Sequence, residues 1–410
     1  MGTIKEFRHL GHGGRYLVGD FMFGMSNVVY KWMCPVVLVS GGASAATVSL
    51  LAIVLFCASL LGALTGGAVR RFSTLRSRVA ITYVGSVCCI AATGIALYQT
   101  PSSIAVITLI FASGFQAIAY SFYVPVRRSL PFALYTGETR TAALQLFQLS
   151  YYISILSGPA LGSLLWVSTD MRAVHAFTLI LGIVGGGLLV WLAGSFGSLP
   201  KDMFASERSP LIGSLRIITS RRSTRSALAL DALTSIFVTS PLMLVWFANS
   251  LGAPEWSGAL QSAVGLGGAI TLTLPLNGIV SGATSRGLTF VSILSCLYIT
   301  LGYLTLHHPF GSHASFGVSL VLCAICGAVS SLFILWRTLV VQEDLDGGTR
   351  TAAASIEHLV TTSGPKLGDV RLTLFLTHAP ASIALIAGPM IALAVCSIGA
   401  LLTLRSDRND

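Results

Sequence analysis

Charge is what this chain has least of. Asp, Glu, Lys and Arg make up 10% of its 410 residues, against about 25% in an ordinary soluble domain. Hydrophobic types reach 54% and the mean hydropathy is +0.80. That balance excludes a water-soluble core as the account of the whole chain. Period-two alternation is missing from the apolar runs, which argues against strands. No Walker sequence occurs, and Gly265-Leu-Gly-Gly268 lies inside an apolar run without the strand and helix of a dinucleotide site. Neither soluble enzymology nor nucleotide-driven work is expected, and no cofactor is. Met1 to Tyr16 holds no signal-peptide core or cleavage site, so the first apolar run is expected to be retained as a helix. All eight cysteines fall within apolar runs, which argues against a disulfide framework. Cys323-x-x-Cys326 has no second ligand pair and reads as two small packing residues. His307, His308 and His313 match no standard metal spacing and read as a solvated loop, so no metal is expected.

What is present is a series of apolar runs of about 20 residues, enough to cross ~30 Å of hydrocarbon as helix. Twelve can be drawn, from 16–39 to 380–403. Gly and Ala are frequent within them, as where helices pack closely in lipid. The pentapeptide Thr-Arg-Thr-Ala-Ala occurs at Thr139 to Ala143 and again at Thr349 to Ala353. Each copy precedes a Ser-Gly-Pro-x-Leu-Gly run, at Ser157 to Gly162 and Ser363 to Gly368. An ordered pair of motifs recurring at half the chain length marks two copies of one unit. The expected division is a six-helix bundle over 1–196, a cytoplasmic linker over 197–225 and a second six-helix bundle over 226–410. The linker contains a short amphipathic piece beginning at Leu211, suited to a membrane surface.

Net charge is +10, but its placement points away from nucleic acid. Arg70, Arg71, Arg76 and Arg78 follow the second run, Arg127, Arg128 and Arg140 follow the fourth, and six more basic residues occupy the central segment. Loops of the other parity carry Arg172 and little else basic. The positive-inside rule then places both termini in the cytoplasm, with the lipid bilayer as the partner of the basic loops.

Six plus six helices with this motif order resembles the major facilitator superfamily. Ser157-Gly-Pro-Ala-Leu-Gly162 looks like that superfamily's antiporter motif. Gly114-Phe-Gln, Pro125 to Pro131 and Arg140-Thr-Ala-Ala resemble the loop region of drug and siderophore exporters of the enterobactin-exporter type. The resemblance implies an all-α membrane protein of two pseudo-symmetric bundles, a monomer in the inner membrane. It implies export of a small organic molecule, siderophore-like or drug-like, by proton antiport with alternating access. Proton-coupled uptake, or a sensor that keeps the fold without flux, are the alternatives. The chain departs from the family where Gly66 to Arg76 and Asn277 to Arg286 lack the usual loop carboxylate, and where the usual Arg of helix four is missing.

Ionisable groups within a bilayer are costly and are kept for use or pairing. Asp20, Asp231, Glu357 and Asp369 are therefore the proton-coupling candidates, with Asp20 and Asp231 equivalent positions 211 residues apart and Asp20, beside the apolar Phe21-Met-Phe stretch, the first choice. Asn27, Lys31, Gln116, Tyr120, Gln148, Tyr152, Lys366 and Arg371 are the substrate-facing candidates. Lys366 and Asp369, three apart, can pair. Glu357, Thr361, Gly364, Gly368 and Arg371 share one helical stripe. Gly158, Pro159, Gly364 and Pro365 offer flexure, and Arg140 and Arg350 are grouped with them as conformational residues. Arg337, 210 residues after Arg127, is expected as that residue's counterpart near the cytoplasmic face, outside the site.

Overall fold

A computed structural model describes residues 12–69, 75–98, 103–124, 127, 130–131, 137–195, 220–250, 252–274, 284–307, 312–343 and 347–406. Among these residues the chain makes twelve helical passes and no strand. The first half contains α1 (His12–Ser40), α2 (Ala45–Val69), α3 (Leu75–Tyr98), α4 (Ser103–Ser121), α5 (Gly137–Ser168) and α6 (Met171–Ser195). The second contains α7 (Arg222–Ser250), α8 (Ser257–Leu272), α9 (Thr284–His307), α10 (Ser312–Glu343), α11 (Gly347–His378) and α12 (Ala381–Ser406). The segment expected as a linker lies mostly outside the described residues. The two Thr-Arg-Thr-Ala-Ala copies open α5 and α11, each helix beginning at the glycine before the motif.

The packing repeats as the sequence does. Helix α1 lies against α5 and α6, as α7 lies against α11 and α12; α3 touches α4 and α6, as α9 touches α10 and α12. The halves meet chiefly through α5 on α8 and α2 on α11. Exchanging each helix for its counterpart six places on turns one of these contacts into the other, which is the signature of a pseudo-twofold axis. Eight passes are, over their described residues, long and apolar enough alone to cross a membrane, and α2 is a further uncharged apolar helix of 25 residues.

Polarity is inverted relative to a soluble protein. Ile104 is 70% exposed and Trp191 65%, while Arg337 and Glu357 are each 1% exposed. Hydrocarbon tolerates such an exterior, and it demands that charged groups turn inward and find partners.

Helix α8 shows what the glycine-rich run is for. A Cβ on Gly265 would lie 2.3 Å from the Leu156 backbone nitrogen of α5, and one on Gly258 would lie 2.3 Å from the Pro159 carbonyl. On its other side, a Cβ on Gly267 would lie 1.7 Å from the Ala324 carbonyl oxygen of α10, and one on Gly327 would meet the Val264 carbonyl in return. Backbone touches backbone along both faces, as small residues permit in lipid. Gly267→Val is accordingly expected to cost about 1–3 kcal/mol through overpacking, read as a lowered unfolding temperature in detergent. Gly187→Val, at a position with open space around it, should shift that temperature little.

Helix α7 is the one pass the sequence reading drew as continuous that is broken midway. Pro241 has no N–H and disfavours a helical residue before it. The chain responds by widening Thr234–Val238 into a π-helical turn, then extending at Thr239 (φ −96°, ψ 100°) before α7 resumes at Pro241. Thr239 N–H and Oγ1 both donate to the Thr234 carbonyl, at 2.9 and 3.3 Å.

Candidate functional site

A cavity of about 440 Å³ lies between the halves. Lys31 and Trp32 of α1 and Tyr120 of α4 wall it on one side; Asp231, Arg337, Glu357 and Lys366 wall it on the other. It extends toward Pro131 and Leu144 at the end of the molecule where α1 begins and α12 finishes. At the other end the halves are joined, with Trp32 Nε1 donating to Ser257 Oγ at 3.0 Å. The Pro254–Trp256 turn there touches α1 and α5.

Two ion-pair clusters stand at equivalent positions. In the first half Asp20 receives Arg127 Nε at 2.8 and 2.9 Å, Tyr123 Oη at 2.6 Å and Ser150 Oγ at 3.2 Å. Arg127 Nη2 donates to the Phe147 carbonyl, and its guanidinium lies over the Phe147 and Tyr151 rings. In the second half Arg337 Nη1 donates to Asp231 Oδ1 at 2.7 Å and Nη2 to Glu357 Oε1 at 2.7 Å; Thr338 Oγ1 adds a bond to Glu357 at 3.0 Å. The first cluster matches one carboxylate with one cation. The second sets two carboxylates on one guanidinium. Arg337 thus belongs to the cavity wall and not to a snorkelling position at the surface, because α10 continues to Glu343 and keeps it within the protein.

A third cluster secures the break in α7. Asp369 of α11 accepts from Ser240 Oγ and from the Leu242 N–H at 3.2 Å, so it caps the restarted helix from a distant part of the chain. Lys366 Nζ lies 3.4 Å from its other oxygen, the pairing expected from their spacing. The stripe of α11 is split between two roles. Glu357 and Thr361 reach the cavity, whereas Gly364 and Gly368 press on Ser235 and Ile236 of the π-helical turn.

Of the substrate-facing candidates, Asn27, Lys31, Tyr120, Gln148, Tyr152 and Lys366 line the cavity. Gln116 does not: its amide is buried and donates to the Asn27 side chain, which itself donates to the Phe23 carbonyl at 2.6 Å. Arg371 does not either, because its guanidinium lies over Phe237 and Phe375, where Gly388 leaves room for it. Among the carboxylates, Asp231 and Glu357 reach the cavity, and Asp20 and Asp369 stand behind Arg127 and Lys366. Lys31 turns inward, 4.4 Å from the centre of the Tyr120 ring. Gly158 abuts Val29 and Met25 of α1, as its counterpart Gly364 abuts α7. Both α5 and α11 continue as helices through Pro159 and Pro365. The side chains of Arg140 and Arg350 lie outside the described residues. Arg127 and Arg337 were the residues missed from the site; their offset of 210, beside the 211 of Asp20 and Asp231, is the signal that links each Arg to its Asp.

The model of the Major Facilitator Superfamily matches residues 16–365. No curated protein sequence matches the chain. Among solved structures, a bacterial homologue of the iron transporter ferroportin in an outward-facing state aligns with a TM-score of 0.69 at 15% identity, over 96% of this chain and 98% of that one. The nucleoside transporter NupG aligns with a TM-score of 0.58 at 12% identity, over 95% and 98%. A POT family transporter in complex with a thioalcohol-conjugated peptide aligns with a TM-score of 0.60 at 15% identity, over 97% and 96%. At these identities the structural likeness speaks for the fold alone. The match that runs from α1 into α11 speaks for descent as well: the chain belongs to the Major Facilitator Superfamily and is a multi-pass membrane transporter of that type.

Proposed function

We propose that this transporter exports a small organic molecule across the inner membrane in exchange for protons, and that the Asp231, Arg337 and Glu357 cluster carries the proton. The observation that supports this reading is the two-to-one ratio of carboxylate to guanidinium on the cavity wall. Two acids share one guanidinium there, and a proton bound to either removes one unit of negative charge from the cluster. Charge in a closed, dry cavity is costly, so proton occupancy and cavity closure are linked. Asp20 has its charge matched by Arg127 and two hydroxyl donors, and its role is that of a fixed clamp. The basic loops support cytoplasmic termini, and the joined far end then corresponds to a transporter open inward. Outward direction draws its support from the Gly158-Pro159 motif and the exporter-like segment before α5.

Reconstituted vesicles test the reading. Uptake of candidate cargoes, a catecholate, an aromatic carboxylate and a hydrophobic cation, is followed under imposed pH gradients. Antiport requires acceleration when the interior is acid. Acceleration only with an alkaline interior would show symport, and absence of flux under both would show a protein that does not transport these classes.

A further inference from the structure

Beside the central cavity is a recess of about 30 Å³ between α1, α2, α4 and α11. It shares Lys31, Tyr120 and Lys366 with the cavity and is completed by Ser59, Ser121 and Thr362 among others. The two ammonium-bearing side chains come from opposite halves and line the same recess. Among the described residues no carboxylate pairs with Lys31. Lys366 has Asp369, but that carboxylate also serves Ser240 and the restarted α7. The recess therefore holds two cations against one shared anion, a surplus of one positive charge in a membrane interior where uncompensated charge is expensive. A recess of this size has room for a small anionic head such as a carboxylate or a halide. Trp32, Tyr151 and Tyr152 flank the adjoining space in the main cavity, where an apolar or aromatic body attached to such a head would rest.

We infer that Lys31 and Lys366 together seat an anionic group in this recess, and that the cargo supplies it as a carboxylate. This rests on the transport reading for the word cargo and deepens it by naming the class: organic monoanions with an aromatic or apolar body. The seat joins α1 to α11, so an occupied recess ties the halves together beside the α2 and α11 contact.

The test is equilibrium binding to the full chain in lipid nanodiscs with no ion gradient, followed by tryptophan fluorescence, since Trp32 adjoins Lys31. Benzoate is the probe, benzamide its neutral counterpart, and chloride, exchanged against gluconate, the inorganic anion. Saturable benzoate binding is expected, with benzamide weaker by about tenfold or more, the scale of one lost charge-assisted hydrogen bond. Lys31→Met and Lys366→Met should each remove that preference, and Lys31→Arg should retain it, which separates loss of charge from misfolding. Chloride that competes with benzoate supports the seat and shows that a free inorganic anion also fills it; chloride without effect assigns the seat to the carboxylate of an organic ligand. Equal binding of benzoate and benzamide, or a preference that survives both Met substitutions, would overturn the proposal. Because no gradient is present, these outcomes are independent of whether the transporter uses protons.

Discussion

Glu357→Gln is expected to abolish proton-driven accumulation of cargo while leaving gradient-free exchange in place. The amide is close to isosteric and its Oε1 still accepts from Arg337 Nη2 and Thr338 Oγ1, at the 2.7 and 3.0 Å positions the carboxylate now occupies. What disappears is one titratable carboxylate, so the cluster is fixed in the charge state that a proton on Glu357 would give it. Uphill transport should fall by about 100-fold, the lower range for loss of a positioned proton-transfer group, and exchange should lose its dependence on pH. Counterflow of labelled cargo in vesicles, with and without a pH gradient, reads both quantities. Should Asp231→Asn give that phenotype and Glu357→Gln not, the proton belongs to Asp231. Normal coupling in both variants would remove the cluster from the mechanism.

Arg337→Met is expected to be the most destabilising substitution at the site. It leaves two carboxylates facing one another in a buried setting, and breaking a buried pair from one side costs about 3–5 kcal/mol. The measurement is the unfolding temperature and the yield of monodisperse protein in detergent. Charge, not packing, is the stated cause, so the triple variant Arg337→Met, Asp231→Asn, Glu357→Gln should recover much of the loss. Failure to recover would mean that the guanidinium matters by its shape. Arg127→Met should cost less, because Asp20 keeps Tyr123 and Ser150 as donors.

Much of this architecture was legible before any coordinates. Run length and the doubled motif indicated twelve passes in two related halves, since lipid restricts a spanning chain to few solutions and a repeat of about half the chain has one simple meaning. Lys366 and Asp369 were legible because they are near neighbours on one helix. Harder to read was what depends on partners far along the chain. Pro241 looks no different in sequence from Pro35, Pro159 or Pro365, yet among the described helices only α7 is interrupted at its proline. The capping carboxylate that stabilises that interruption is Asp369, on α11. Arg337 is expected outside the site because its counterpart Arg127 reads as a loop residue, and what turns both arginines inward is a carboxylate more than a hundred residues away in sequence. Gln116 was on a plausible face, but Asn27 already uses its amide.

One comparison across the repeat reaches further than the site itself. Position 147 stands 210 residues before 357, the same interval that separates Arg127 from Arg337. At the first a phenylalanine offers the arginine a main-chain carbonyl; at the second a glutamate offers it a formal charge. A doubled ancestor would supply matching joints, and on the proposed reading a difference at a single site separates the fixed joint from the one that carries a proton. Such a molecule can be nearly symmetric in its framework and still respond to acid from one side alone, so the twin without the extra carboxylate serves as the built-in control for every experiment on its sibling.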